Sequence, residues 1–201
     1  EHLHLTHNVF WGSRSVLAYA DGCSRMTKAV AYGFKFKIYQ LIQQGIHDPQ
    51  AFLNTLHAQG WKIIHLRRQN VLRQVLSNFV IERRGQAHLM VGKQLDPNLF
   101  PFRVDPHAAL FMLEDRIRLL KEESEVLRDL PYLEIVYERD LAAVAARAAS
   151  LNRVLDFLGL SQQPLSTKLQ RVSSDNIRDM VENYDELQAE VVARGHQHFL
   201  D

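Results

Sequence analysis

The chain has 201 residues, 46% hydrophobic and 23% charged, a globular composition that excludes a disordered or fibrous chain. Lys plus Arg number 24 and Asp plus Glu 23, so the formal charge is +1 and no global field draws the protein to nucleic acid or membrane; any anion site must be local. The single cysteine, Cys23, excludes an internal disulfide and any Cys-x-x-Cys motif, and points to a reducing, cytoplasmic setting.

The sequence opens on Glu1 rather than Met, without the basic and apolar regions of a signal peptide. The expectation is that an N-terminal stretch is missing from it. His2, His4 and His7 have metal-like spacing but read as a surface tail, and no metal is expected. Trp11-Gly-Ser-Arg-Ser15, followed by apolar Val-Leu-Ala-Tyr-Ala, looks superficially like a strand-loop-helix junction. Residues 34–39, FKFKIY, alternate apolar and polar and predict a short strand after Gly33. Asp48-Pro49 predicts a capped helix over 48–58, with Phe52, Leu53 and Leu56 inward and a stop near Gly60.

KIIHL, residues 62–66, predicts a compact buried strand, and 70–84 a helix with Val71, Leu72, Val75, Leu76, Phe79 and Val80 on its apolar face. Residues 86–104, with Pro97 and Pro101, read as a loop. Asp105-Pro106 opens a helix with Leu110, Leu113, Ile117 and Leu120 on one stripe. YLEIVY, residues 132–137, predicts a strand, 141–158 an alanine-rich helix ending at Gly159, and 160–175 a polar loop. The last helix is predicted over 176–193, with Gly195 past its end. No apolar run approaches the length of about 18 residues that spans a bilayer. Short strands alternating with long helices predict an α/β fold, a parallel sheet flanked by helices in a single domain over 1–201.

Ligands of such sheets bind at the carboxyl ends of the strands, which directs attention to the segment after KIIHL. The strand delivers Arg67 and Arg68 to the sheet edge, and Asn70 then caps a helix whose N–H groups point the same way. Asn70, Arg73 and Ser77, at offsets of three and four, share one polar helix face. Guanidinium forks and a hydroxyl suit a phosphate monoester. A basic, solvent-facing edge would use the same residues.

The string IIHLRRQNVLRQVLS resembles the 3′-phosphate-binding strand-loop-helix of sulfotransferases that use 3′-phosphoadenosine 5′-phosphosulfate, in the form of the bacterial and carbohydrate group. Further segments are similar in the same order: GFKFKIYQL (33–41), YLEIVYERDL (132–141), RVLDFLGL (153–160) and TKLQRVSSDNIRDMVENYDEL (167–187). Together they cover about residues 28–200. Two departures stand out: Arg139 separates Glu138 from Asp140 in the Tyr-Glu-Asp-Leu segment, and the interval from Arg68 to Ser77 is nine, one longer than in many members.

The resemblance implies a sulfotransferase-like, P-loop-type fold and a sulfuryl transfer from 3′-phosphoadenosine 5′-phosphosulfate to a hydroxyl acceptor such as a glycan, lipid or small alcohol. Adenosine 3′,5′-bisphosphate is the product. It implies Arg68 and Ser77 at the 3′-phosphate, with Asn70 opening the helix and Arg73 beside them. The late loop would contribute Lys168, Gln170, Arg171 and Ser173. Lys35 would contact the sulfuryl or bridging oxygen, and Glu1 would be the base. The family's N-terminal phosphosulfate loop has no counterpart, so the expectation is that this loop and its strand precede Glu1. Other readings are a nucleotide-dependent kinase of P-loop architecture, a nucleic-acid-binding module using LRRQNVLRQ, and a non-catalytic scaffold. The first lacks a phosphate loop with Lys, and the charge balance speaks against the second.

Overall fold

Capping residues set three of the helix starts in the structure, a computed structural model that describes residues 12–86, 89–164, 167–170, 172, 174 and 176–200. Asp48 accepts the Ala51 N–H at 2.9 Å and Pro49 takes the first helical position, where a missing N–H costs nothing. Asn70 accepts the Arg73 N–H at 2.9 Å and Asp105 the His107 N–H at 2.9 Å. In chain order the helices are α1 (Gly12–Met26), α2 (Ile38–Gln43), α3 (Pro49–Ala58), α4 (Val71–Arg84), α5 (Pro106–Leu127), α6 (Val144–Leu158) and α7 (Tyr184–Ala193). The strands are β1 (Ile63–Arg67), β2 (Leu89–Met90), β3 (Tyr132–Val136) and β4 (Leu169–Gln170). The fold is mixed α/β and mostly helical, with β1 and β3 forming a two-stranded parallel sheet. β2 and β4 pair antiparallel, Leu89 opposite Gln170 and Met90 opposite Leu169.

The chain divides into two compact units, residues 1–64 with 119–132, and residues 65–118 with 133–201. In the first, Leu53 and Leu56 of α3 pack with Ile38 and Leu41 of α2 and Val16 of α1. Aromatic side chains extend this core: Phe34 meets Trp61 at 5.4 Å between ring centres, and Phe36 meets Phe52 at 6.2 Å. Here the expected strand over 34–39 is corrected. Residues 31–37 form no strand, with Lys37 extended, and α2 begins at Ile38. The alternation is real, because Phe34 and Phe36 turn inward while Lys35 and Lys37 are exposed. What the segment lacks is a backbone partner, and without a ladder an alternating segment is not a strand. The Trp11–Ser15 candidate loop is also corrected: Gly12–Ser15 are the first residues of α1, and Trp11 lies outside the described residues.

In the second unit α4 buries Val71, Leu72, Val75, Leu76 and Val80, as its periodicity predicts. Two expectations fail for backbone reasons. The helix over 176–193 is broken: a 3-10 turn, Ile177–Asp179, precedes α7, and Val181 bridges in parallel to Phe102. The Phe102 N–H donates to the Met180 carbonyl and the Glu182 N–H to the Phe102 carbonyl, each at 2.9 Å, so these groups cannot serve a helix. Asn183, buried, continues the tie with both ends of its amide: Nδ2 donates to the Val104 carbonyl and Oδ1 accepts the Val104 N–H, each at 3.0 Å. Strand β1 is not buried as expected, since its residues alternate between half-buried and exposed, with Ile64 and Leu66 outward.

Replacing Asn183 with Ala would orphan both Val104 backbone groups. The expected loss is about 2–3 kcal/mol of stability. Urea titration of the variant measures it, and an unchanged midpoint would show that water replaces the amide.

Candidate functional site

At the carboxyl end of β1, neighbouring arginines have different environments. Arg67 is engaged: its Nε donates to Glu134 Oε2 on β3 at 2.7 Å, and this bond holds the Glu134 carboxyl below its usual range. Arg68 turns the other way. Its guanidinium stacks over the Tyr137 ring, 4.2 Å from the ring centre, and Nη1 donates to the Arg73 carbonyl at 3.5 Å. No carboxylate among the described residues pairs with Arg68. A helical carbonyl points along the axis toward the residue four further on, so this contact places Nη1 over the turn that carries Ser77. Ser77 is half-buried, and its hydroxyl makes no hydrogen bond to the described residues. Arg68 therefore reaches the backbone of the first turn of α4, the helix that carries Ser77.

The other residues on the polar face of α4 have structural partners. Asn70 caps α4 and donates from Nδ2 to the Phe199 carbonyl at 2.9 Å, tying the C-terminal turn to the loop. Arg73 reaches the Ser174 carbonyl at 3.4 Å and so holds the late loop against α4. The Gln69 and Asn70 N–H groups, just before α4, are occupied. The Glu138 carboxylate takes the Gln69 N–H at 2.8 Å and the Asn70 N–H at 3.4 Å.

Glu138 is positioned by the turn that follows β3. Residues Tyr137–Ala142 form a π-helical segment rather than the start of an α-helix. A π turn accommodates an additional residue without breaking the backbone hydrogen bonding around it. It contains Glu138, Arg139 and Asp140 in succession. Asp140 is buried at 3% exposure and accepts four ties. They are the Val136 N–H at 2.7 Å, Arg139 at 2.8 and 3.1 Å, Arg153 at 3.0 Å and the Ser150 hydroxyl at 3.3 Å. Hydrogen bonds from Arg139, then from the Val136 amide and Ser150, hold its carboxyl well below the ordinary value of 3.8, against the opposing effect of burial. Tyr137, Glu138 and Asp140 have no individual role in the motif reading. The signal that marks them is a run of acids closing an apolar strand.

Of the remaining sequence-predicted residues, Lys168 is exposed and its carbonyl accepts the Val91 N–H at 2.8 Å. Gln170 lies in β4 opposite Leu89. Lys35 is exposed on the segment before α2 in the first unit, and no carboxylate among the described residues pairs with it. Glu1, Arg171 and Ser173, with the N-terminal histidines, lie outside the described residues. Among the described residues no group of three His, Cys, Asp or Glu is placed to hold a metal, and no helix is long and apolar enough to cross a membrane. No known family model, curated protein or solved structure matches this chain.

Because the folded-state value of Asp140 lies below its unfolded value, its contribution is present above the unfolded value and is lost as the pH falls. Stability is therefore expected to drop on acidification below about pH 4, with a shallower drop in Asp140→Asn. At neutral pH that variant should lose about 2–3 kcal/mol, less than for a fully buried pair because Arg139 and Arg153 stay partly in water. Urea unfolding across pH values checks both. Parallel acid slopes for the two proteins would remove Asp140 as the group responsible.

Proposed function

We propose that the protein is a sulfotransferase that takes 3′-phosphoadenosine 5′-phosphosulfate as donor and a hydroxyl compound as acceptor, on a sulfotransferase-like variant of the α/β fold. One observation carries this reading: a guanidinium that pairs with no carboxylate among the described residues, held by the Tyr137 ring and the Arg73 carbonyl at the start of the helix that carries Ser77. The order of the similar segments supports it. A phosphate monoester fits the pair, since it accepts the guanidinium fork and a hydroxyl donor together. In this reading Arg68 and Ser77 hold the 3′-phosphate. Arg73 keeps the late loop, with Lys168, Gln170, Arg171 and Ser173, beside it, and Asn70 holds the strand-to-helix junction.

In sulfuryl transfer the bond from sulfur to the donor phosphate oxygen breaks as the bond to the acceptor oxygen forms. The acceptor proton passes to a base, and adenosine 3′,5′-bisphosphate leaves. Charge grows on the leaving phosphate, so cationic donors accelerate the step. The resemblance assigns that task to Lys35 and the base to Glu1.

Adenosine 3′,5′-bisphosphate is expected to bind with micromolar affinity in calorimetry, and ATP not to bind. Arg68→Ala should weaken binding by about 1.5–3 kcal/mol and Ser77→Ala by about 1 kcal/mol. Indifference to both nucleotides would overturn the reading, and an unchanged affinity in Arg68→Ala would overturn the phosphate assignment. In a sulfate-transfer assay Lys35→Ala should lower turnover more than donor affinity; an unaffected rate would remove Lys35 from the step.

A further inference from the structure

The β2–β4 pair ends in a tip at residues 90–93, and of its surroundings only Lys168 and Gln170 figure in the site above. The Lys93 N–H donates to the Met90 carbonyl at 3.0 Å, closing a tight turn over 90–93. Gly92 takes φ +85° there, the left-handed conformation that a type II turn requires at its third position. This turn puts Val91 at the apex, 66% exposed, and the Val91 N–H, bonded to the Lys168 carbonyl at 2.8 Å, anchors it to the strand behind. Met90 and its cross-strand partner Leu169 are also outward, at 44% and 46% exposure. Three aliphatic side chains are therefore exposed at or beside a turn whose backbone is fixed on both sides.

The charge around them has one sign. Between Glu82 and Asp96, and between Asp156 and Asp175, there is no Asp or Glu, while Arg83, Arg84, Lys93, Lys168 and Arg171 fall in these segments. Lys93 and Lys168 are exposed beside the tip, and neither pairs with a carboxylate among the described residues. Asp96, which closes the first segment, is turned back onto the Asn98 N–H at 2.9 Å. In a chain of net charge +1 these two segments are cationic in sequence, and Lys93 and Lys168 lie next to the apex.

We propose that this tip docks on an anionic lipid surface, with Val91, Met90 and Leu169 entering the interface and Lys93 and Lys168 meeting the head groups. Aliphatic burial and cation attraction act together at such surfaces, and each alone is weak. The alternative polyanion, a single-stranded nucleic acid, is bound chiefly through aromatic platforms on which bases stack, and the exposed apolar residues at this tip are aliphatic. The inference does not depend on the sulfotransferase reading.

Flotation of the full chain with two vesicle types tests it: phosphatidylcholine alone, and phosphatidylcholine mixed with phosphatidylserine. Binding is expected to the mixed vesicles and to weaken with added salt. Val91→Asp with Leu169→Asp should lower partitioning by about tenfold or more. Lys93→Glu with Lys168→Glu should lower it by about thirtyfold or more. All four positions are exposed, and unchanged thermal melting of the variants checks that they fold. Absence of binding to mixed vesicles, variants that bind as the parent does, or binding of an oligonucleotide but not of vesicles would each overturn the proposal.

Discussion

The second unit is organised by the burial of one carboxylate. Asp140 lies on the π-helical segment that follows β3, and its oxygens receive the last strand amide, the arginine before it and two residues of α6. A buried carboxylate is tolerated only when its lone pairs are satisfied, and these donors come from the strand end and the helix that follows. The strand end, the π turn and α6 are thereby held at fixed relative positions. Glu138, two residues earlier on the same turn, is then placed where its carboxylate secures the amides that begin the β1–α4 junction.

The same arrangement sorts the arginines by what they can still bind. Arg67, Arg139 and Arg153 spend their charge on Glu134 and Asp140. Arg73 is directed to a carbonyl of the late loop. Arg68 alone in this group is held by a ring and a carbonyl, partners that orient a guanidinium without cancelling its charge. A chain of nearly balanced charge can thus present a local cationic position, because neighbouring pairs neutralise the rest.

The structure also shows where alternation and periodicity stop being informative. Phe34 and Phe36 bury and Lys35 and Lys37 do not, which is what strand alternation predicts, yet that segment forms no ladder. Ile177, Met180, Val181, Leu187 and Val191 all bury, which is what a helix predicts, yet the backbone at 180–182 bonds to Phe102. Side-chain burial follows the sequence pattern in both cases. The hydrogen-bond partner of the backbone does not, because it comes from a segment distant in the chain.

The sequence by itself determined the capped starts of α3, α4 and α5, the apolar face of α4, and the polar face carrying Asn70, Arg73 and Ser77. These follow from interactions a few residues apart, which composition and spacing encode directly. Only the tertiary structure decided that Arg67 pairs with Glu134 while Arg68 meets no carboxylate among the described residues, that Glu138 occupies the amides before α4, and that Tyr137–Ala142 forms a π turn around Asp140. Each depends on a partner from another element, such as Glu134, Tyr137 or Arg153. Identical residue types on one strand end acquire different chemistry only when the fold supplies those neighbours.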